Sequence, residues 1–178
     1  MGRLEVIYGC MFSGKTTELI RRLTAARDSG LTVLAIKPRS DYRSGTARLA
    51  THTGAFLEAM DVEDASQIPD APRVVGIDEA HFLGHELVPV CRRLLALGRR
   101  VVVAGIHLDH MGRSFAPFPD LLSIADESLQ LFAPCARCGR PAIHSRRKTP
   151  GVSQERILVG GADLYEPLCT GCFGPIPG

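Results

Sequence analysis

Eight consecutive residues near the start of the chain, Gly9-Cys10-Met11-Phe12-Ser13-Gly14-Lys15-Thr16, carry the pattern G-x-x-x-x-G-K-[ST]. The chemistry of that pattern is the holding of a nucleoside triphosphate. Two glycines permit a turn in which successive backbone N–H groups point inward at phosphate oxygens. Lys15 brings a point charge to the β- and γ-phosphates, and Thr16 offers a hydroxyl to Mg²⁺. An apolar run precedes the loop and an amphipathic pattern follows it, so the positive end of a helix dipole faces the same place. All eight residues are therefore expected to bind ATP.

A second acidic feature lies downstream. The run Val74-Val75-Gly76-Ile77 ends in Asp78-Glu79. An apolar strand that delivers an aspartate to the C-terminal edge of a sheet is the usual partner of such a loop, holding Mg²⁺ directly or through water. Glu79 then falls near the γ-phosphate, where a carboxylate can take a proton from an attacking hydroxyl or water.

Four cysteines form two C-x-x-C pairs, Cys135/Cys138 and Cys169/Cys172, thirty residues apart. Two such knuckles supply tetrahedral thiolate ligation for Zn²⁺. Four thiolates leave no open coordination position, so the site reads as structural. Cys10 and Cys91 lack a paired knuckle and read as packing residues.

The elements that position these groups follow from hydrophobic pattern. Residues 4–8, 32–36, 74–77 and 101–105 read as buried strands, and 129–132 as a fifth. Residues 16–29 show a helical stripe (Leu19, Ile20, Leu23, Ala26) stopped by Gly30, while 85–97 and 121–125 read as further helices. The polar stretch 39–53 reads as a mobile loop. Continuous apolar strands separated by helices imply an α/β fold, a mainly parallel P-loop-type sheet flanked by helices. At Pro134 the composition turns to Cys, Gly, Arg and Pro. The expected organisation is a nucleotide-binding domain over 1–133, a small zinc-binding lasso over 134–172 and a flexible tail over 173–178.

Bulk properties agree with a globular enzyme. The chain has 178 residues, 45% hydrophobic and 22% charged, with a net charge of +2, which argues against a protein that coats nucleic acid. No run is long enough to span a membrane, and the first residues carry no signal-peptide pattern, so a cytoplasmic location is expected. In that reducing compartment six cysteines point to metal before disulfides.

Between the knuckles, Arg146-Arg147-Lys148 is followed by residues 157–165, which bring apolar side chains, Gly160-Gly161 and Tyr165. A metal-anchored loop of this kind can fold over a small ligand, with glycines for close approach and Tyr165 as a platform for a base or as simple packing.

Taken in order, these motifs resemble the type II, zinc-containing thymidine kinases. The phosphate loop with its helix (9–22), Asp41-Tyr42-Arg43, Thr51-His52, Ile77-Asp78-Glu79-Ala80-His81-Phe82 and residues 159–167 followed by Cys169 each resemble a family motif, and the likeness runs from about 4 to 172. The resemblance implies Glu79 as the base that deprotonates the deoxyribose 5′-hydroxyl, and Asp41 and Arg43 near phosphates or metal. It implies a thymine pocket of Met11, Phe82, Ile106, His110, Phe115, Ser145, Leu158 and Tyr165, with backbone groups at Val159, Gly160 and Gly161 reading the base edge. It further implies a homotetramer, inhibition by dTTP, and no nucleic-acid or membrane partner.

The chain departs from the family pattern at several positions. After the fourth strand it reads Ile106-His107-Leu108-Asp109-His110 where L-D-x-x-F is usual. Ser145 stands for Thr, and His81 for Gln. These changes bear on base preference. His107, Asp109 and His110 also suggest a second metal site, but one short stretch without a fourth ligand favours an ordinary polar loop. Two rival functions remain: a P-loop ATPase whose zinc module binds nucleic acid through Arg146, Arg147 and Lys148, and a nucleoside-binding relative with altered base preference.

Overall fold

A computed structural model describes residues 1–39, 48–50, 54, 56–148 and 161–174. Its centre is a seven-stranded sheet. The strands are β1 (Arg3–Gly9), β2 (Val33–Pro38), β3 (Arg48–Ala50), β4 (Phe56–Val62), β5 (Val74–Ile77), β6 (Arg100–Gly105) and β7 (Glu127–Leu131). They lie in the order β3-β4-β2-β5-β6-β1-β7, and every pair is parallel except β3–β4. Parallel pairing puts the C-terminal ends of six strands on one edge. The phosphate-loop motif after β1, the two carboxylates after β5 and Ile106 after β6 therefore emerge side by side.

Both faces of the sheet are covered, because alternate residues of each strand enter different cores. Leu4 and Val6 of β1, with Val101 and Val103 of β6, pack under α2 (Leu87–Ala96) and α3 (Phe118–Ile124). Ile7, Val102 and Ala104 pack on the other face under Leu19 and Leu23 of α1 (Lys15–Asp28). Helix α1 seats deeply there, since a Cβ on Gly76 would lie 2.4 Å from Leu23 Cδ1.

Glu5 interrupts this apolar pattern. It is 2% exposed on the α1 face of β1. Arg100 grips its carboxylate through Nε at 2.7 Å and Nη2 at 3.0 Å, Arg22 of α1 bonds the same group, and Arg3 stands at 3.5 Å. Burial alone would raise this carboxyl, but the Arg100 and Arg22 hydrogen bonds and charges outweigh it and hold it below the usual carboxylate range. Arg21, ahead of a smaller burial effect, and then Arg22 hold nearby Glu18 down to about 2. Depressed carboxyls contribute stability above their unfolded value of 4.5 and lose it as pH falls through the folded values. Acid unfolding followed by circular dichroism should therefore begin below pH 4.5 and be largely complete near pH 2. Glu5→Ala removes the carboxylate that Arg100 and Arg22 share, while Arg22 keeps Glu18 and Glu127 as partners, and should cost about 1–3 kcal/mol in urea unfolding. An unchanged midpoint would show that the cluster is not cohesive.

Beyond β7 the chain forms two small hairpins, β8 (Ala133–Pro134) with β9 (Pro141–Ala142) and β10 (His144–Arg147) with β11 (Tyr165–Leu168), closed by α4 (Thr170–Phe173). They share a third core of Ala133, Cys135, Ala142, Leu168, Cys169 and Phe173, into which Cys10 of the first loop also packs.

Several local expectations change. Strand β4 escapes the sequence pattern because apolar Phe56 and Met60 sit at exposed positions while Asp61 is partly covered, which blurs the alternation that buries Leu57. Arg48–Ala50, inside the expected loop 39–53, pairs with β4 as an edge strand. The helix expected from residue 85 begins at Leu87, after a 3-10 segment Ala80–Glu86 kinked at Gly84 (φ 59°). Phe173, expected to start a loose tail, is 3% exposed and stacks on His144 at 4.2 Å. Among the described residues no helix is long and apolar enough to cross a membrane.

Candidate active site

The loop between β1 and α1 has the backbone that its glycines require. Gly14 lies at φ 85° and Phe12 at φ 64°, both left-handed. At Gly9 a Cβ would come within 2.3 Å of the Leu131 carbonyl and 2.8 Å of Ser13 Oγ, so the turn closes only on glycine. Lys15 is buried, and its Nζ bonds the Cys10 carbonyl at 2.6 Å and reaches Ser13 Oγ at 3.5 Å. Ser13 Oγ donates to the same carbonyl at 2.8 Å. Lys15 thus points its ammonium across the mouth of the loop, where phosphate oxygens can exchange for the carbonyl.

The loop and the acidic strand end meet directly. Thr16 Oγ1 donates to Asp78 Oδ2 at 2.9 Å, and the Glu79 N–H donates to Asp78 Oδ1 at 3.0 Å. Asp78 is 5% exposed. Burial, then the adjacent Glu79 charge, pushes its carboxyl up to about 7, against the hydrogen bond from Thr16. A carboxylate so placed is stabilised by a cation, and hydroxyl plus carboxylate oxygens are the donors that Mg²⁺ takes. Glu79 itself sits in the left-handed region at φ 47°, ψ 40°. Its side chain lies at the rim, 17% exposed, with Oε2 at 3.5 Å from His81 Nδ1.

Aromatic groups stand beside this carboxylate. His81 contacts the Phe82 ring at 4.4 Å and the Phe115 ring edge-on at 5.9 Å. Met11 is tied to the second unit, because its N–H donates to Ser145 Oγ at 2.9 Å. Ser145 and Phe115 are buried, and Phe82, Ile106, Met11 and His110 are partly covered. Tyr165 is buried opposite Arg147, whose guanidinium stands 5.9 Å from its ring. Its N–H bonds the Gly161 carbonyl at 3.0 Å, within a turn pinned by Asp163. Asp41, Arg43, Thr51, His52, Leu158, Val159 and Gly160 lie outside the described residues.

Among the described residues, the polar loop after β6 forms no group of three or more metal-binding ligands. Asp109 Oδ1 accepts the N–H groups of Met111 and Arg113 at 3.0 and 2.9 Å, which makes it a turn cap. His107 packs edge-on against Tyr8 at 4.8 Å, and burial, then the charges of Lys15 and His144, lowers its pKa to about 4. It is neutral at physiological pH.

The four knuckle cysteines do converge. Their Sγ atoms lie within 4.8 Å of one another, with Cys138 at 3.6 Å from Cys169 and 3.5 Å from Cys172. Zn–S bonds of about 2.3 Å place tetrahedral thiolates about 3.8 Å apart, so the set fits Zn²⁺. Among the described residues it is the one group of three or more ligands able to hold a metal. Arg140 Nε stands 3.4 Å from Cys138 Sγ and offsets thiolate charge. Cys10 and Cys91 are buried, and burial raises both thiols, as packing residues require. The basic run is engaged internally: Arg146 stacks on Phe173 at 4.6 Å and bonds its carbonyl, Arg147 covers Tyr165, and Lys148 Nζ bonds the Ala162 carbonyl.

Two contacts escaped sequence reasoning. His81 registered only as a departure from a usual glutamine, and nothing in its spacing placed it against Glu79. The Ser145 tether to Met11 joins residues 134 apart, a separation at which no local pattern speaks.

Comparison with known proteins completes the picture. A family profile described as thymidine kinase matches residues 2–173. The thymidine kinase of Rhodothermus sp. (strain ITI 518) is 44% identical over 178 residues, covering 98% of this chain and 83% of that one. That of Coprothermobacter proteolyticus is 45% identical over 176 residues, covering 95% and 89%. That of Halobacterium salinarum is 41% identical over 182 residues, covering 96% and 93%. Among solved structures, the flagellar accessory protein FlaH from Methanocaldococcus jannaschii superposes with a TM-score of 0.50 at 12% identity, covering 72% of this chain and 70% of that one. That likeness concerns the fold alone.

Proposed function

The chain belongs to the thymidine kinase family, and on that premise we propose how its residues divide the work of moving the γ-phosphate of ATP to the 5′-hydroxyl of thymidine. The observation that carries the assignment is the 2.9 Å contact of Thr16 Oγ1 with Asp78 Oδ2, which brings phosphate loop, acidic strand end and Glu79 into one site.

In this reading residues 9–16 cradle the triphosphate with main-chain N–H groups and the α1 N-terminus. Lys15 leaves the Cys10 carbonyl for the β- and γ-phosphates. Thr16 and Asp78 hold Mg²⁺, which when bound neutralises charge that develops on the phosphoryl oxygens. Asp41 and Arg43 attend the same phosphates. Glu79 accepts the proton of the 5′-hydroxyl as the oxygen attacks, and catalysis is otherwise positioning and charge compensation. Met11, Phe82, Ile106, His110, Phe115, Ser145, Leu158 and Tyr165 enclose the thymine, and backbone groups at Val159, Gly160 and Gly161 read its edge.

The wider reading keeps a nucleotide-binding domain over 1–133 and a structural zinc lasso over 134–172, supported by the sulfur geometry and the separate third core. A homotetramer is supported by the family likeness. Feedback by dTTP is supported by chemistry, since the product's base and a triphosphate would occupy the base pocket and phosphate loop together. Four metal-binding thiolates suit a reducing cytoplasm. A zinc module for nucleic acid is not favoured, because Arg146, Arg147 and Lys148 are engaged internally.

A nucleoside panel with labelled ATP tests the assignment. Thymidine and deoxyuridine should be phosphorylated and purine deoxynucleosides should not. Phosphorylation of another nucleoside instead would move the base preference and point to His110. Polynucleotide-stimulated ATP hydrolysis with no nucleoside product would overturn the reading.

A further inference from the structure

The catalytic groups leave the sheet at one edge, and a separate hollow opens at the other. Arg3 begins β1, Arg100 begins β6 and Glu127 begins β7. Helix α1 runs back from the phosphate loop and brings Arg21, Arg22 and Ala25 beside them. Together they line a cavity of about 540 Å³. Strand β1 is seven residues long, so about 20 Å of strand separates the cavity from the phosphate loop.

The walls of this cavity are rich in guanidinium groups. Arg100 commits Nε and Nη2 to Glu5. Arg22 commits Nε to Glu18 at 2.8 Å and Nη1 to Glu5 and Glu127 at 2.5 and 2.9 Å. Arg21 commits Nε and Nη2 to Glu18, both at 2.7 Å, and Arg3 commits Nη2 to Glu127 at 2.6 Å. Nη1 of Arg3, Arg21 and Arg100 and Nη2 of Arg22 bond nothing among the described residues. Arg3 and Arg21 are 55% and 66% exposed, and neither Arg22 nor Arg100 has a sealed, partnerless nitrogen, so the unused donors open outward. Four guanidiniums meet three carboxylates, Glu5, Glu18 and Glu127, so the cluster keeps one positive charge. Forked N–H donors with spare capacity match phosphate oxygens. The remaining lining includes Ala25, Ala26 and Leu31, which is 40% exposed. An apolar lining with a few convergent polar groups, in a volume of this size, is the make-up of a small-molecule site.

We propose that this cavity is a second anion site, which takes a small molecule carrying more than one phosphate group. Phosphate oxygens accept the unused N–H groups of Arg3, Arg21, Arg22 and Arg100. Buried Glu5 fixes Arg22 and Arg100 as the inner pair, while Arg3 and Arg21 at the rim turn onto the ligand. More than one phosphate is needed because the donors come from two strands and a helix and surround the space. Helix α1 begins at Lys15 and carries Arg21 and Arg22, so the anion and a triphosphate on the loop touch opposite ends of one rigid element. Neither Glu79 nor the nucleoside pocket takes part.

Isothermal titration calorimetry of the full-length, zinc-loaded protein with sodium tripolyphosphate tests the site. The parent should bind at two places, the phosphate loop and the cavity. Lys15→Ala, which removes the loop's ammonium, should keep one of them. Adding Arg3→Ala and Arg21→Ala to Lys15→Ala should weaken that remaining site by about tenfold or more. Arg3→Ala/Arg21→Ala alone should phosphorylate thymidine at the parent's rate, because both side chains are exposed and their ion pairs hold little of the fold. ATP in place of tripolyphosphate on Lys15→Ala tells the two ligand sources apart. Equal affinity marks a bare phosphate chain, and tighter binding marks Ala25 and Leu31 as a seat for an organic part. A single site in the parent, or a remaining site in Lys15→Ala that ignores the arginine substitutions, overturns the proposal and leaves the phosphate-loop reading standing. If the triple variant does not fold by circular dichroism, Arg21→Gln in the Lys15→Ala background makes the same comparison.

Discussion

Glu79→Gln should reduce kcat for thymidine phosphorylation by roughly 10²–10⁴-fold, the range that general-base catalysis contributes. The substitution keeps the size of the side chain and removes its basicity. Its backbone bonds to Asp78 Oδ1 and from Phe82 do not involve the carboxylate and should persist. The phosphate loop draws its contacts from residues 9–16, so ATP affinity, read with a fluorescent nucleotide, should change by no more than about threefold. A loss of ATP binding in step with turnover would recast Glu79 as a metal or phosphate ligand. Turnover within a few-fold of the parent would leave the 5′-hydroxyl to be activated by the phosphate itself.

The second large effect concerns the four thiolates. Cys138 is the most connected of them, within 3.6 Å of Cys169 and 3.5 Å of Cys172. Cys138→Ser should bring zinc content, measured by atomic emission on the purified chain, from one per chain to near none. Metal binding in zinc-finger peptides amounts to about 10–16 kcal/mol. If a third of the lower figure is folding energy here, the melting temperature falls by about 10 °C, at about 2–4 °C per kcal/mol for a chain of this length. The damage should reach catalysis. Ser145 of the anchored unit holds the Met11 N–H at 2.9 Å, and Cys10 packs into the same core. Loosening that unit therefore frees the phosphate loop on one side, and KM for thymidine should rise with that for ATP. A zinc-free variant with the parent's melting point and kinetics would make the site dispensable, and iron in the purified protein would change the metal but not the argument.

Much of this site is legible in one dimension because its chemistry is carried by short, contiguous motifs. Gly9, Gly14, Lys15 and Thr16 act through backbone geometry that eight neighbouring residues define among themselves. Asp78 and Glu79 follow an apolar strand, and strand ends in a parallel sheet share one edge. The knuckle cysteines were legible as a cluster because two C-x-x-C pairs are the spacing of tetrahedral thiolate ligation, and their Sγ atoms do lie within 4.8 Å of one another. Strand β4 was silent for the converse reason. Phe56 is 57% exposed and Leu57 is 8% exposed within it, so its burial alternates while its hydrophobicity does not, and the period is hidden in the sequence.

By itself, then, the amino-acid order pointed to the family and its reaction class, the phosphate-loop motif, the clustering of four cysteines and the parallel sheet, since each depends on residues close in the chain or on burial along one strand. Only the tertiary structure decided that His81 faces Glu79 across the seat left by Gly105, that Ser145 holds the phosphate loop at Met11, and that the basic run 146–148 is engaged with Phe173, Tyr165 and Ala162. The physical reason is direction. Composition and spacing say which groups a chain carries, but where a side chain points, and so what it protonates, orients or neutralises, is set by packing between segments that are far apart in sequence.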